Sequence, residues 1–198
     1  MELRHLREGL GAALVGAPSP LTAADRLCVA CVDLLDVDGA SISLVDHGAM
    51  QGTFGSSGEL SRTLDELQFT FGSGPCLDSV ANGRPIFVDD LDVPESRWPS
   101  LTGAMLQRGI RAVYALPVAV AHVPVGALDL YRHRTGPLEG NSLTGGVWAA
   151  ELASVPLMNL MTAGVNWQNA DEGGNGWDQL ASLERVEVYQ ATGFIVEA

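Results

Sequence analysis

Leucine recurs at positions 3, 6, 10 and 14, a spacing of three and four that gathers all four on one face of a short opening helix. A second helical pattern runs through Ala24, Leu27, Cys28, Cys31, Leu34 and Leu35. Thr22 with Asp25 three residues later predicts its capped start, and Gly39 its stop. From Ser41 to Val45 the period drops to two, as in a half-buried strand, and His47-Gly48 turns into a second strand around Met50 to Ser56. Leu60, Leu64 and Leu67 then return to helical spacing.

The densest local signals lie between Phe71 and Leu91, in FGSGPCLDSVANGRPIFVDDL. Pro75 stands where a helix begins, because the first turn has no partner for the N–H that proline lacks. Asn82-Gly83 ends that helix, since both tolerate the left-handed conformation of a helix stop. Pro85 holds Arg84 extended, so Ile86-Phe87-Val88 reads as a strand. Further on, Trp98 to Gln107 reads as a helix with Gly109 past its end. Ala112–Val120 and Val125–Tyr131 read as strands joined by a tight Ala-His-Val-Pro turn. Asn141-Ser142 caps a helix through Leu143, Val147, Ala150, Leu152 and Val155, which Pro156 should bend or end. The stretch NWQNADEGGNG is polar, glycine-rich and without period, and so is a linker before a last helix from about Trp177. Hairpins mixed with helices predict an α+β fold: one antiparallel sheet with helices packed against it.

The composition, 46% hydrophobic and 18% charged, is that of a folded globular chain. All 11 basic residues are arginine, and the net charge is −13. That balance argues against a bare nucleic-acid-binding surface, which needs cations to displace counterions from phosphate. No apolar run reaches the length of a membrane span and no signal-peptide core opens the chain. Three cysteines without disulfide spacing fit a reducing cytoplasm.

Cys76 falls in the first turn of its helix, where the dipole favours a thiolate. Asp78 two residues on opposes ionisation, and no histidine neighbours it in sequence to act as base. Its reading is a pocket-lining thiol, with no catalytic residue assigned anywhere in the chain. Cys28 and Cys31 are spaced as a redox pair, but both fall inside a helix on its apolar stripe, and read as core. His5, His47, His122 and His133 are scattered without ligand spacing, so no metal and no cofactor is expected. Asp89, Asp90 and Asp92 read as solvating a strand end and capping the following helix.

The order of elements, together with FGSGPCLDSVANGRPIFVDDL, RWPS at 97–100, ALPVAV at 115–120 and VGALDLY at 125–131, resembles a GAF domain. More narrowly, it resembles the actinobacterial GAF domains that precede an RNA-binding ANTAR domain. The last sixteen residues, from Leu183, resemble the first helix of that output domain. The resemblance implies four parts: an N-terminal extension over 1–20, a GAF sensory domain over 21–163, a linker over 164–176, and the beginning of an ANTAR domain over 177–198. It implies a cytoplasmic homodimer that senses a small molecule and regulates transcription antitermination rather than an enzyme. RNA hairpins are partners only where the full output domain is present. As ligand-binding positions it implies Phe54, Phe71, Cys76, Val88, Trp98 and Tyr114. Two alternatives stand beside it: a thiol-dependent enzyme of the free methionine sulfoxide reductase kind, and a ligand-free dimerisation scaffold.

Overall fold

The computed structural model describes residues 2–46, 48–93 and 97–163. Its elements run α1 (Leu3–Ala12), α2 (Pro20–Leu34), β1 (Gly39–Asp46), β2 (Ala49–Ser56), α3 (Glu59–Phe71), α4 (Pro75–Asn82), β3 (Ile86–Val88), α5 (Pro99–Gln107), β4 (Ala112–Val120), β5 (Val123–Arg132) and α6 (Gly140–Ala163). The chain divides into two units, Met1–Asn159 and Leu160–Ala198. The architecture below is that of the first. The predicted linker and last helix lie outside the described residues.

The five strands form one sheet in the order β2-β1-β5-β4-β3, every neighbouring pair antiparallel. The α+β fold expected from the periodicities is the fold observed. Because strand side chains alternate, β1 sends Ser41 and Ser43 to one face and Ala40, Ile42 and Leu44 to the other. The second face is apolar and carries α1, α2 and α6. Leu6, Leu10, Leu27, Leu35 and Leu130 are buried there, and α6 comes close enough that a Cβ on Gly145 would meet Leu6 and Leu35. The first face carries α3 and α4, with α5 packed on α3.

The local signals act largely as read. Gly74 and Pro75 open α4, and Gly83 ends it with φ at 61°. Several readings need correction, among them the Asn141-Ser142 cap, which lies inside α6 rather than ahead of it. The cap of α2 is Ser19, whose Oγ accepts from the Thr22 N–H at 3.1 Å with Pro20 at the first turn, so the helix starts ahead of the Thr22–Asp25 pair. The β4–β5 turn is only Ala121-His122, both with positive φ of 50° and 69°, the twist that a two-residue hairpin requires. Pro156 does not end α6, which continues to Ala163. Proline removes one backbone bond, while Ala149, Ala153 and Leu157, four residues apart, stay buried on the helix's inner side.

The acidic run also differs from expectation. Asp90 accepts from the Asp92 N–H at 2.9 Å and Asp92 pairs with Arg111, while no side chain caps α5. These acids hold a loop, not a helix start.

Arg132 anchors the end of β5. It is 3% exposed, donates from Nε to the Asp36 carbonyl at 2.5 Å and from Nη1 to the Pro137 carbonyl at 2.9 Å, and lies 5.3 Å from the Tyr114 ring centre. Replacing it by methionine strands both carbonyls and is expected to cost about 2–4 kcal/mol in urea unfolding. Lysine should not restore it, because a single ammonium cannot span the fork.

Candidate functional site

The face of the sheet under α3 and α4 is where polar side chains are buried together. α3 carries two stripes. Its apolar one includes Leu64 and Leu67, which pack with Val88, Leu91, Trp98, Leu101, Met105, Ile110, Val113 and Tyr131. Its second is polar, Ser61, Asp65 and Gln68 at i, i+4 and i+7, and is equally buried.

That polar stripe meets a polar strip of the sheet. Ser43 of β1 donates to Asp65, and Thr53 of β2 donates to its second oxygen at 2.6 Å. One turn later, Gln68 donates from Nε2 to Asp129 of β5 at 2.5 Å and accepts at Oε1 from the Cys76 N–H at 3.0 Å. A single carboxamide thus ties α3, the first turn of α4 and β5. Gly74 makes the approach possible, because a Cβ there would lie 2.9 Å from Leu101 Cδ2 and against the Gln68 amide. Ser41 and the Tyr131 hydroxyl share a bond of 2.9 Å. Asp65, Gln68, Ser43 and Asp129 have no exposed surface.

Asp129 is the odd member. Its Oδ1 is buried without a hydrogen-bond partner among the described residues, where such atoms are rare and each calls for an explanation. Burial, reinforced by the nearby Asp65, raises its carboxyl to about 8 despite the Gln68 bond. Burial likewise raises Asp65 to about 7, against the pull of the Ser43 and Thr53 bonds. The thiol of Cys76 packs with Val45 and Ala127 beside this cluster, and burial with the Asp129 and Asp65 charges keeps it protonated.

The six residues that the resemblance names for a pocket do not all converge. Val88 and Trp98 share the cluster under α3 and α5, and Cys76 belongs to the adjoining one on the same face. Phe71 ends α3 with 41% exposure. Phe54 is buried as the extra residue of a bulge, between the Ile42–Gly55 and Ser43–Thr53 pairs. Tyr114 lies on the opposite face: it pairs with Leu130 in register, meets the Phe87 ring edge-on and bonds the Gly136 carbonyl. Sequence reasoning passed over Ser43, Asp65, Gln68 and Asp129. The signal was present in the Ser-x-Ser alternation of β1 and the polar i, i+4, i+7 spacing of α3.

An apolar cleft of about 260 Å³ lies elsewhere, lined by Pro85, Leu116, Pro117, Ala119, Val147, Ala150 and Glu151. It holds none of the six named residues.

Cys28, Cys31 and Cys76 are free thiols without exposure; burial pushes Cys31 up to about 12 and raises Cys28 as well. None of the three should react with a thiol reagent at neutral pH until the protein unfolds. A thiol modified at the rate of a free cysteine in the native chain would contradict the packing.

An antiparallel sheet with a polar, enclosed patch under two helices defines an α+β module. The sequence profile of the GAF domain matches residues 17–144, and the chain belongs to the GAF domain family. No curated protein matches its sequence. Among solved structures it is similar to the GAF domain of an Acinetobacter phosphoenolpyruvate-protein phosphotransferase, with a TM-score of 0.65 at 12% identity over 82% of this chain and 98% of that one. It is also similar to a free methionine-R-sulfoxide reductase of Neisseria meningitidis in complex with its substrate (TM-score 0.62, 14% identity, 82% of this chain and 92% of that one). A type II reductase of Thermoplasma acidophilum is a third (TM-score 0.52, 15% identity, 78% and 95%). At these identities the likeness establishes the fold. It also corrects the expectation that the chain is not an enzyme, because reductases stand among the structures built on this same fold. Among the described residues, no helix is long and apolar enough to cross a membrane and no group of three or more His, Cys, Asp or Glu could hold a metal ion.

Proposed function

We propose that the chain is the sensory part of a cytoplasmic transcription antitermination regulator. In this reading the GAF module takes a small molecule at the patch beneath α3 and α4 and controls an RNA-binding output of the ANTAR kind. The observation that carries the sensory half is Asp129, a fully buried carboxyl with one oxygen unpartnered in the interior of a ligand-sensing fold. The wording from Leu183 to Ala198 supports the output half. Two copies pair through apolar residues that α1, α2 and α6 leave exposed, among them Leu3, Val29, Val147 and Val155.

The test is terminator read-through in a purified transcription reaction, run with the product of the gene's full reading frame. Read-through on templates bearing paired hairpins should rise with added protein and respond to a bound metabolite. No change across a titration that saturates dimer formation would overturn the regulator reading. The sensory half is tested separately by thermal unfolding of this chain against amino acids, nucleotides and fatty acids. A ligand at a hundred times its Kd stabilises by about 2.7 kcal/mol, a rise in Tm of roughly 5–10 °C for a chain of this size. Absence of any concentration-dependent rise would favour the ligand-free scaffold.

A further inference from the structure

The two buried carboxyls have a property that ligand binding alone does not use. Asp65 fastens α3 to β1 and β2 through Ser43 and Thr53. Asp129, reached through Gln68, fastens the next turn of α3 to β5 and to the start of α4. All these partners are neutral. The groups that face the pair are few: Arg62 and Glu66 on α3 itself, Cys76 on α4, Tyr131 on β5, and Cys28 of α2 across the sheet. Arg62, the one cation among them, has its guanidinium on the Ser56 hydroxyl at 3.2 Å and forms no bond to either carboxyl. The neighbouring strand β4 offers Val113, Ala115 and Pro117 on this side, and nothing charged.

A pair of carboxyls without a counterion can stay buried only while protons hold down its charge. Two like charges in a site of this polarity repel strongly and each loses its hydration. The unpartnered Oδ1 of Asp129 has no donor to offset that loss. Ionisation of both groups therefore favours any state in which α3 lifts and water reaches them. The segment Gly72–Gly74 supplies a hinge: Gly72 ends α3 with φ at 59°, and Gly74 has no side chain to lock the α4 start.

We propose that the chain senses protons through Asp65 and Asp129, with α3 as a lid that is closed while these carboxyls hold their protons and opens when both ionise. Opening uncovers Asp129, Gln68 and Cys76, the same patch to which a ligand is assigned above. The proposal rests on that assignment only for what the lid covers, and its test needs no ligand.

The test is amide hydrogen exchange on the whole chain at about pH 6 and about pH 9, corrected for intrinsic rates, which separates local opening from global unfolding. Amides of α3 should lose protection by roughly tenfold or more at the higher pH and exchange ahead of those of α2, on the other face, whose loss is limited to that of global unfolding. In the Asp65→Asn, Asp129→Asn double variant the loss should disappear; should that variant not fold, Asp129→Asn alone makes the comparison. Equal protection of α3 at both pH values, α3 amides that exchange no faster than those of α2 at about pH 9, or a loss that persists without the carboxyls would each overturn the proposal.

Discussion

Replacing Gly126 by alanine is expected to be the most damaging single-methyl change in the chain, lowering Tm by roughly 10 °C or abolishing folding. Gly126 lies in β5 opposite Leu44 of β1, in the middle of the sheet. A Cβ added there would overlap the backbone carbonyl of Ser43, with the Leu44 Cα 3.5 Å away. Backbone cannot turn aside as a side chain can, so β1 and β5 must separate where Ser43 holds Asp65. Overpacking costs about 1–3 kcal/mol even where side chains can give way, and for a chain of this size each kcal/mol moves Tm by about 2–4 °C. Gly11→Ala is the control: nothing lies within 4 Å of its Cβ, and it sits in α1. There alanine should stabilise by about 0.5–1 kcal/mol. Calorimetry of the two variants would show whether clash or glycine loss as such governs the result.

The second large effect is the dependence of stability on pH, and its sign is opposite to that of salt-bridged carboxylates. Burial raises Asp65 to about 7 and Asp129 to about 8 in the folded chain, against about 3.9 when unfolded. Between about pH 4 and pH 8 the folded state therefore binds more protons than the unfolded one, and stability falls as pH rises. The contribution is fully present below about pH 4 and lost as pH passes the folded values. Each group changes stability by up to about 1.4 kcal/mol per pH unit inside the window, which sums to several kcal/mol. The net charge of −13 adds self-repulsion in the same direction, so the decisive comparison is with Asp129→Asn. That variant should unfold with a flatter pH profile and be the more stable protein at about pH 9. A wild-type profile rising from pH 5 to 8 would contradict the burial of the pair.

Much of the frame was legible because punctuation residues act locally. Gly74-Pro75 and Gly83 set the bounds of α4, and Gly109 follows α5 with φ at 78°. Where a reading went astray, a tertiary effect outweighed a local one. Pro156 sits in a helix already held by Ala149, Ala153 and Leu157, and Ala121-His122 adopts left-handed backbone that only the closing hairpin imposes. The candidate site was harder to see, since apolar periodicity was the guide. In α3 that guide selected Leu60, which is 40% exposed, and passed over Asp65 and Gln68, which are fully buried. Polar residues enter a core only when partners meet them there, and the partners, Ser43, Thr53 and Asp129, come from three strands distant in sequence. Tyr114 shows the converse. Its segment belongs to the family wording, yet strand alternation sends its ring to the α6 face.

The patch beneath α3 and α4 is where this GAF module is proposed to receive its signal. Its most direct test is an amide NMR titration of the chain with any metabolite that raises its Tm. The perturbed amides should cluster at Ser43, Asp65, Gln68, Cys76 and Asp129, and Asp129→Asn should weaken binding by about tenfold or more, the weight of one buried hydrogen bond left unmade. Perturbations confined to the cleft of Leu116, Val147 and Glu151, with affinity unchanged in Asp129→Asn, would contradict it.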